Sequence, residues 1–205
     1  MKKIIVIAIF LLADVSNAQV TFKPGLRGGA AFSTFSNTQS DYKTDFYLGA
    51  FGEINLTKVY ALQPEITYIR QGSNNIKTYI GYNTDTGEDI TVSRNLEIDY
   101  LSLAMINKFT FNGGFQVMVG PTVDFRLQDD LIYENTDVDL TLVAGFGYRL
   151  PSGLAFEARF KKGFVDVLDS DYYGSNNGNN DYWFRDYNTN INFQLGVSYS
   201  FGGKK

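Results

Sequence analysis

Apolar and polar residues alternate along most of this chain. In residues 115–127, FQVMVGPTVDFRL, Phe115, Val117, Val119, Pro121, Val123, Phe125 and Leu127 share one parity. Gln116, Met118, Gly120, Thr122, Asp124 and Arg126 share the other. Successive side chains of a strand point to opposite faces, so this stretch has one greasy face and one that sets an acid beside a base. Seven more stretches read the same way: 20–35, 45–56, 60–71, 95–109, 138–150, 154–164 and 190–201. The spacing predicts eight strands and no helix. Within 95–109, Leu96, Ile98 and Tyr100 run out of phase with Leu101, Leu103, Met105 and Phe109, which predicts a bulge. Pro24, Pro64 and Pro121 fall inside predicted strands, on the apolar parity. Proline has no N–H for the ladder, so bulges or strand ends are expected there.

The connections come in two kinds. Residues 57–59, 110–114 and 151–153 are short turns; 36–44, 72–93, 128–137 and 165–189 are longer and polar. Long and short alternate strictly. An antiparallel meander built this way gathers every long connection at one end, with the short turns and both termini at the other. Outer-membrane barrels show that asymmetry, with brief periplasmic turns and long external loops.

Alternation alone does not say which face is outside. A soluble, lipocalin-like barrel that binds a small apolar ligand points its apolar parity inward; a membrane barrel points it outward. Besides the loops, two features favour the membrane. Aromatics gather in two belts: Phe22, Tyr60, Phe109, Phe111, Phe115, Tyr148, Phe156, Tyr199 and Phe201 near the short turns, and Phe32, Phe46, Tyr68, Phe125, Phe160 and Phe164 near the long connections. The polar parity carries Lys23, Arg27, Lys108, Arg126, Arg149, Arg159 and Lys161 against Glu53, Glu65, Asp124, Asp139 and Glu157. Such balance suits a closed interior where ions neutralise one another. The expected fold is therefore all-β: an eight-stranded antiparallel up-and-down transmembrane β-barrel, its lumen plugged by that ion-pair network. At eight strands, side chains just fill the interior.

Composition narrows the function. Met1-Lys2-Lys3, the apolar run Ile4–Ala13 and the small residues Ser16 and Ala18 read as a signal peptide over 1–18, leaving 19–205 as one barrel domain. Cleavage there would remove Lys2, Lys3 and Asp14, taking the net charge from −4 to −5. That balance offers no footprint for nucleic acid. The chain has no cysteine and no histidine. Without histidine, the usual base of membrane-barrel hydrolases is missing, and Glu53 with Glu65 reads as part of an ion-pair network rather than an acid–base pair. The expectation is a non-enzyme that needs no cofactor and no metal. The connection 165–189 is the most unusual stretch. Asp166, Asp169, Asp171 and Asp181 offer oxygen ligands for calcium, but their spacing is not that of an EF-hand loop. Tyr172, Tyr173, Tyr182, Trp183, Phe184 and Tyr187 make it a candidate external recognition loop, or a set of aromatics rimming a bilayer. The connection 72–93 reads as hairpin ends or disorder with no specific chemistry.

The stretches PGLRGGAAFSTF (24–35), QPEITYIRQG (63–72), YLSLAMINKF (100–109), VGP (119–121) and QLGVSYSF (194–201) together resemble the PorT-like family of outer-membrane β-barrel proteins from Bacteroidetes-type bacteria. That family often has Glu and Pro where this chain has Ser102 and Ala104. The resemblance implies an outer-membrane barrel, and one branch of the family is associated with assembly of a protein secretion system. It implies outer-membrane lipids as surroundings and envelope or secretion-system proteins as partners. Gln194, Gly196, Tyr199 and Phe201 also resemble the insertion signal that the barrel-assembly machinery reads on a last strand.

Overall fold

The computed structural model describes residues 20–38, 40–131, 136–168 and 188–202. The expected signal peptide and the aromatic cluster from Tyr172 to Tyr187 lie outside them. Eight strands run in order: β1 (Thr21–Phe35), β2 (Asp41–Asn55), β3 (Tyr60–Asn83), β4 (Glu88–Thr110), β5 (Phe115–Asp129), β6 (Val138–Arg149), β7 (Leu154–Gly163) and β8 (Asn190–Ser200). Each pairs antiparallel with its sequence neighbour, and β8 closes onto β1 from Gly25↔Ser200 to Phe35↔Asn190. Closure gives every wall strand two partners and leaves no edge in the wall, which an apolar solvent requires, since each unpaired backbone group there costs several kcal/mol.

The two parities separate as the pattern predicts. Along β5, Phe115 is 47% exposed and Val119 39%, while Gln116, Met118, Thr122 and Asp124 are buried. The apolar exposure continues round the whole circumference. Leu26, Leu48, Ile66, Leu103, Val117, Leu142, Phe156 and Leu195 place one such residue on each strand in turn. A soluble monomer rarely shows a continuous apolar patch beyond a few hundred Å². A complete belt of this kind calls for an apolar surrounding.

Three local expectations change, and one open choice closes. The stretch 72–93 takes its hairpin alternative over disorder: β3 and β4 run on as one hairpin to Asn83↔Glu88, with irregularities at Ser73/Ile76 and Tyr79/Gly81. A polar, two-sided strand pair lacks the period-2 signal, so composition alone reads it as loop. β2 likewise begins at Asp41, and its pairing with β3 shifts between Tyr42 and Tyr47. β4 itself keeps one phase. Leu96, Ile98 and Tyr100 are buried on the same inward parity as Ser102 and Lys108, so these apolar residues face the interior. The extra residue is Leu127 on β5, between the pairs Asp99↔Gln128 and Tyr100↔Arg126. Finally, Pro64 and Pro121 cause neither a bulge nor a strand end. Pairing simply skips them on one side, β2–β3 resuming at Ile54↔Leu62 and β4–β5 at Asn107↔Val119, with no change of register. Their other sides stay paired, as Pro64↔Met105 and Pro121↔Leu142. Pro24 does lie at the end of the β1–β8 ladder.

Candidate functional site

The inward parity assembles most of the predicted charged network. Nearest the short turns, the Arg149 guanidinium grips Glu53 through both nitrogens, one contact measuring 2.9 Å. Lys108, fully buried, reaches Glu53 at 3.3 Å and donates to Gln63 Oε1 at 3.0 Å. Gln63 in turn donates to Glu65 at 2.6 Å. Farther in, Arg159 binds Glu65 at 2.9 and 3.0 Å and Glu157 at 2.9 Å. Arg27 donates to Glu65 at 3.2 Å and to Gln194 at 3.0 Å, and its guanidinium lies 4.5 Å from the centre of the Tyr47 ring. Ser198 donates to Glu157 at 2.6 Å. Lys161 joins Asp124 at 2.5 Å and Ser102 at 3.1 Å. These side chains come from β1, β2, β3, β4, β5, β6, β7 and β8, so the network ties the wall together across its interior. A buried charge is tolerable only when paired and hydrogen-bonded.

Three predicted members sit apart. Asp139 is buried but accepts from Asn190 Nδ2 at 2.8 Å instead of meeting a cation; Asn190 also donates to Tyr100 Oη at 3.3 Å. Arg126 pairs with Asp129 at 3.1 Å and Asp137 at 2.7 Å, at the end with the long connections. Lys23, half-buried, lies opposite Glu53 in the β1–β2 register but forms no ion pair among the described residues, Glu53 being taken by Arg149 and Lys108.

The interior is not ionic throughout. Toward the long connections, Ala31, Phe35, Tyr47, Ile69, Ile76, Leu96, Ile98 and Tyr100 pack with Val167 and Leu168 into one buried apolar cluster. Parity missed it because the polar face was read for charge; the signal was Leu96, Ile98 and Tyr100 sharing the parity of Ser102 and Lys108. Between cluster and ion pairs lies a cavity of about 10 Å³ lined by Arg27, Glu65, Thr67, Ser102, Arg159, Lys161 and others, about the space of one water. Inward glycines make room for these large groups. A Cβ on Gly196 would come 2.1 Å from Tyr47 Oη. So two residues of the predicted insertion signal, Gln194 and Gly196, have interior contacts of their own, while Tyr199 and Phe201 are exposed with ring centres 5.2 Å apart.

A second polar group lies outside the wall, just past Phe46 and Tyr68. Arg70 meets Glu97 at 3.2 Å and Asp99 at 3.0 Å; Lys43 meets Asp45 and Glu97 at 2.6 Å each. Beside them a cavity of about 220 Å³ is lined by Arg70, Glu97, Asp99, Gln128, Asp129 and Asp130. Among the described residues no group of His, Cys, Asp or Glu is arranged to hold a metal. Asp166 accepts from the Asn188 N–H at 2.9 Å, and the other three aspartates considered for calcium lie outside the described residues.

Comparison with known families decides what this apolar-out, charged-in barrel is. Residues 4–201 match the family described as outer membrane protein beta-barrel domain. The chain belongs to that family. It resides in the bacterial outer membrane, and its apolar belt faces lipid. Among solved structures, Neisserial surface protein A shares 11% identity over 90% of this chain and 100% of its own, with a TM-score of 0.51. OprG from Pseudomonas aeruginosa shares 13% over 90% and 98%, at 0.49, and Ail from Yersinia pestis 10% over 87% and 98%, at 0.48. The first likeness is one of fold. Comparison with the curated proteins found no match.

Proposed function

We propose that this protein is a non-enzymatic outer-membrane barrel with a plugged, non-conducting lumen, which acts outside the wall as an envelope or secretion-associated component. The carrying observation is the interior: charged pairs toward the short turns, an apolar cluster toward the long connections, and a cavity of about 10 Å³ between them. A conducting path would have to break buried ion pairs or wet an apolar constriction, and both are costly. The working surfaces in this reading are the long connections and the β3–β4 projection, which face the cell exterior while the short turns face the periplasm. Residues 1–18 serve as a cleaved export signal, and the last strand, through Gln194, Gly196, Tyr199 and Phe201, is read by the barrel-assembly machinery. The PorT-like resemblance supports the secretion association, and no cofactor or nucleic acid takes part. Planar-bilayer recording of the purified protein tests the lumen: no stepwise conductance is expected, and a stable open channel overturns the plugged reading. Labelling of a single cysteine at Thr86 on intact cells tests the orientation. Reaction with an impermeant maleimide supports it, and reaction only after envelope disruption overturns it.

A further inference from the structure

We infer that the β4 edge of the projecting hairpin is a docking site for an extended basic peptide segment of a partner protein, which adds to it as a third strand. This rests on the reading that the hairpin projects from the cell. β2 last pairs with β3 at Asp41↔Asn74, and β5 last pairs with β4 at Ile98↔Asp129. Beyond those points, among the described residues, β3 and β4 pair only with each other. Each strand therefore presents a row of backbone N–H and C=O groups on its far side, and the complement to such a row is another extended backbone.

The two edges are not equal. On β3, Ile76 and Thr78 are buried, Lys77 stands between them, and the pairing is broken between Tyr79 and Gly81. A lysine and a bulge are the ordinary means by which proteins blunt an edge. On β4, Glu88–Asn95 is exposed at every residue and reads EDITVSRN, with β-branched Ile90, Thr91 and Val92 and neither lysine nor proline. The pairing irregularities place no extra residue on this strand.

Charge selects the occupant. Glu88 and Asp89 stand at the tip of this edge, with Arg94 its one basic residue. At its base Glu97, Asp99, Asp129 and Asp130 line the 220 Å³ cavity; Arg70 is held by Glu97 and Asp99, Lys43 by Glu97 and Arg126 by Asp129, so four acids there face three cations. Asp130 marks where the open edge begins, its carboxylate accepting from the Glu97 N–H at 2.7 Å. The matching strand carries apolar residues opposite Ile90 and Val92 and a basic residue at each end, one at the tip and one in the cavity. A second copy fits less well. Two barrels held side by side by a bilayer point their hairpins the same way, so like edges would meet parallel, the less stable ladder.

The test uses the full chain in lipid nanodiscs and a fluorescent synthetic peptide: lysine at each end, with valine and isoleucine spaced by one threonine between threonine flanks. Anisotropy is expected to show saturable binding that weakens about tenfold or more when alternate peptide amides on one edge are N-methylated, or when both lysines become glutamates. Ile90→Lys together with Val92→Lys should abolish it while heat-modifiable gel migration, the mark of a folded barrel, is kept. Absence of binding, or binding indifferent to N-methylation, overturns the inference and leaves the proposed function standing if Thr86 labels on intact cells. Doubling of particle mass without peptide, lost in the same double variant, makes the occupant a second copy and also overturns it.

Discussion

β3 and β4 pass through two different worlds. In the wall, from Tyr60 to Arg70 and from Asp99 to Thr110, each strand has a neighbour on both sides, one face in lipid and one against the charged interior. In the projection, the same two strands pair only with each other: Ile76 and Thr78 on β3 are still buried, β4 is exposed throughout from Glu88 to Asn95, and extra residues on β3 break its phase twice. The contrast teaches what period-2 patterning records. It is not strand formation as such but a strand held between two unlike solvents. Where bulges shift the phase and both faces meet water, as on β3 beyond Tyr79, the strand survives and the pattern fades.

The wall should be broken most severely from within. Arg159→Leu leaves the buried Glu65 and Glu157 with Arg27 alone between them and should cost about 3–5 kcal/mol in urea unfolding from lipid vesicles. Replacing all four members of the cluster, Arg27 included, by apolar residues should recover much of that loss, because a buried ion cluster is rarely worth more than good packing. From the lipid side, Val119→Arg or Leu142→Arg should cost about 2–4 kcal/mol in the same assay if the site lies near the bilayer midplane. The interior apolar cluster should answer to volume: Ile98→Ala removes a fully buried side chain and is expected to cost about 2–4 kcal/mol. The projection should barely register. Joining Thr78 directly to Val92, cross-strand partners, through a two-residue turn removes the tip of the hairpin, and wall stability should shift by no more than about 0.5 kcal/mol. A loss as large as that of Arg159→Leu would mean that the hairpin is part of the barrel's stability, and the comparison would fail.

The wall was legible in the sequence because each of its residues reports one solvent. Phe115, Val117 and Val119 against Gln116, Thr122 and Asp124 set the two parities of β5, and loop lengths, aromatic belts and balanced charge pointed to which parity faces out. So too was the set of charges that meet inside, since Arg27, Glu53, Glu65, Lys108, Asp124, Arg149, Glu157, Arg159 and Lys161 all fall on one parity. Which ion meets which was not legible: it depends on shear between strands distant in sequence, as Arg159 with Glu65 or Arg149 with Glu53 shows. Lys23 and Asp139 shared the parity yet fell outside the pairs, one at the rim and one satisfied by Asn190. The hairpin was legible only as one of two alternatives, for the reason given above, and the apolar cluster was missed because Leu96, Ile98 and Tyr100 looked like a phase error.

The account turns on one physical arrangement: oily side chains to lipid, charge within. The absence of native cysteine allows a direct measurement. Single cysteines at Val119 and Met118, neighbours on opposite faces of β5, are spin-labelled in the reconstituted barrel, and collisions with dissolved oxygen and with a water-soluble nickel complex are recorded. The arrangement predicts a label at 119 that is open to oxygen and shielded from nickel, and a site at 118 closed to both. Oxygen access at 118 with nickel access at 119 would contradict it.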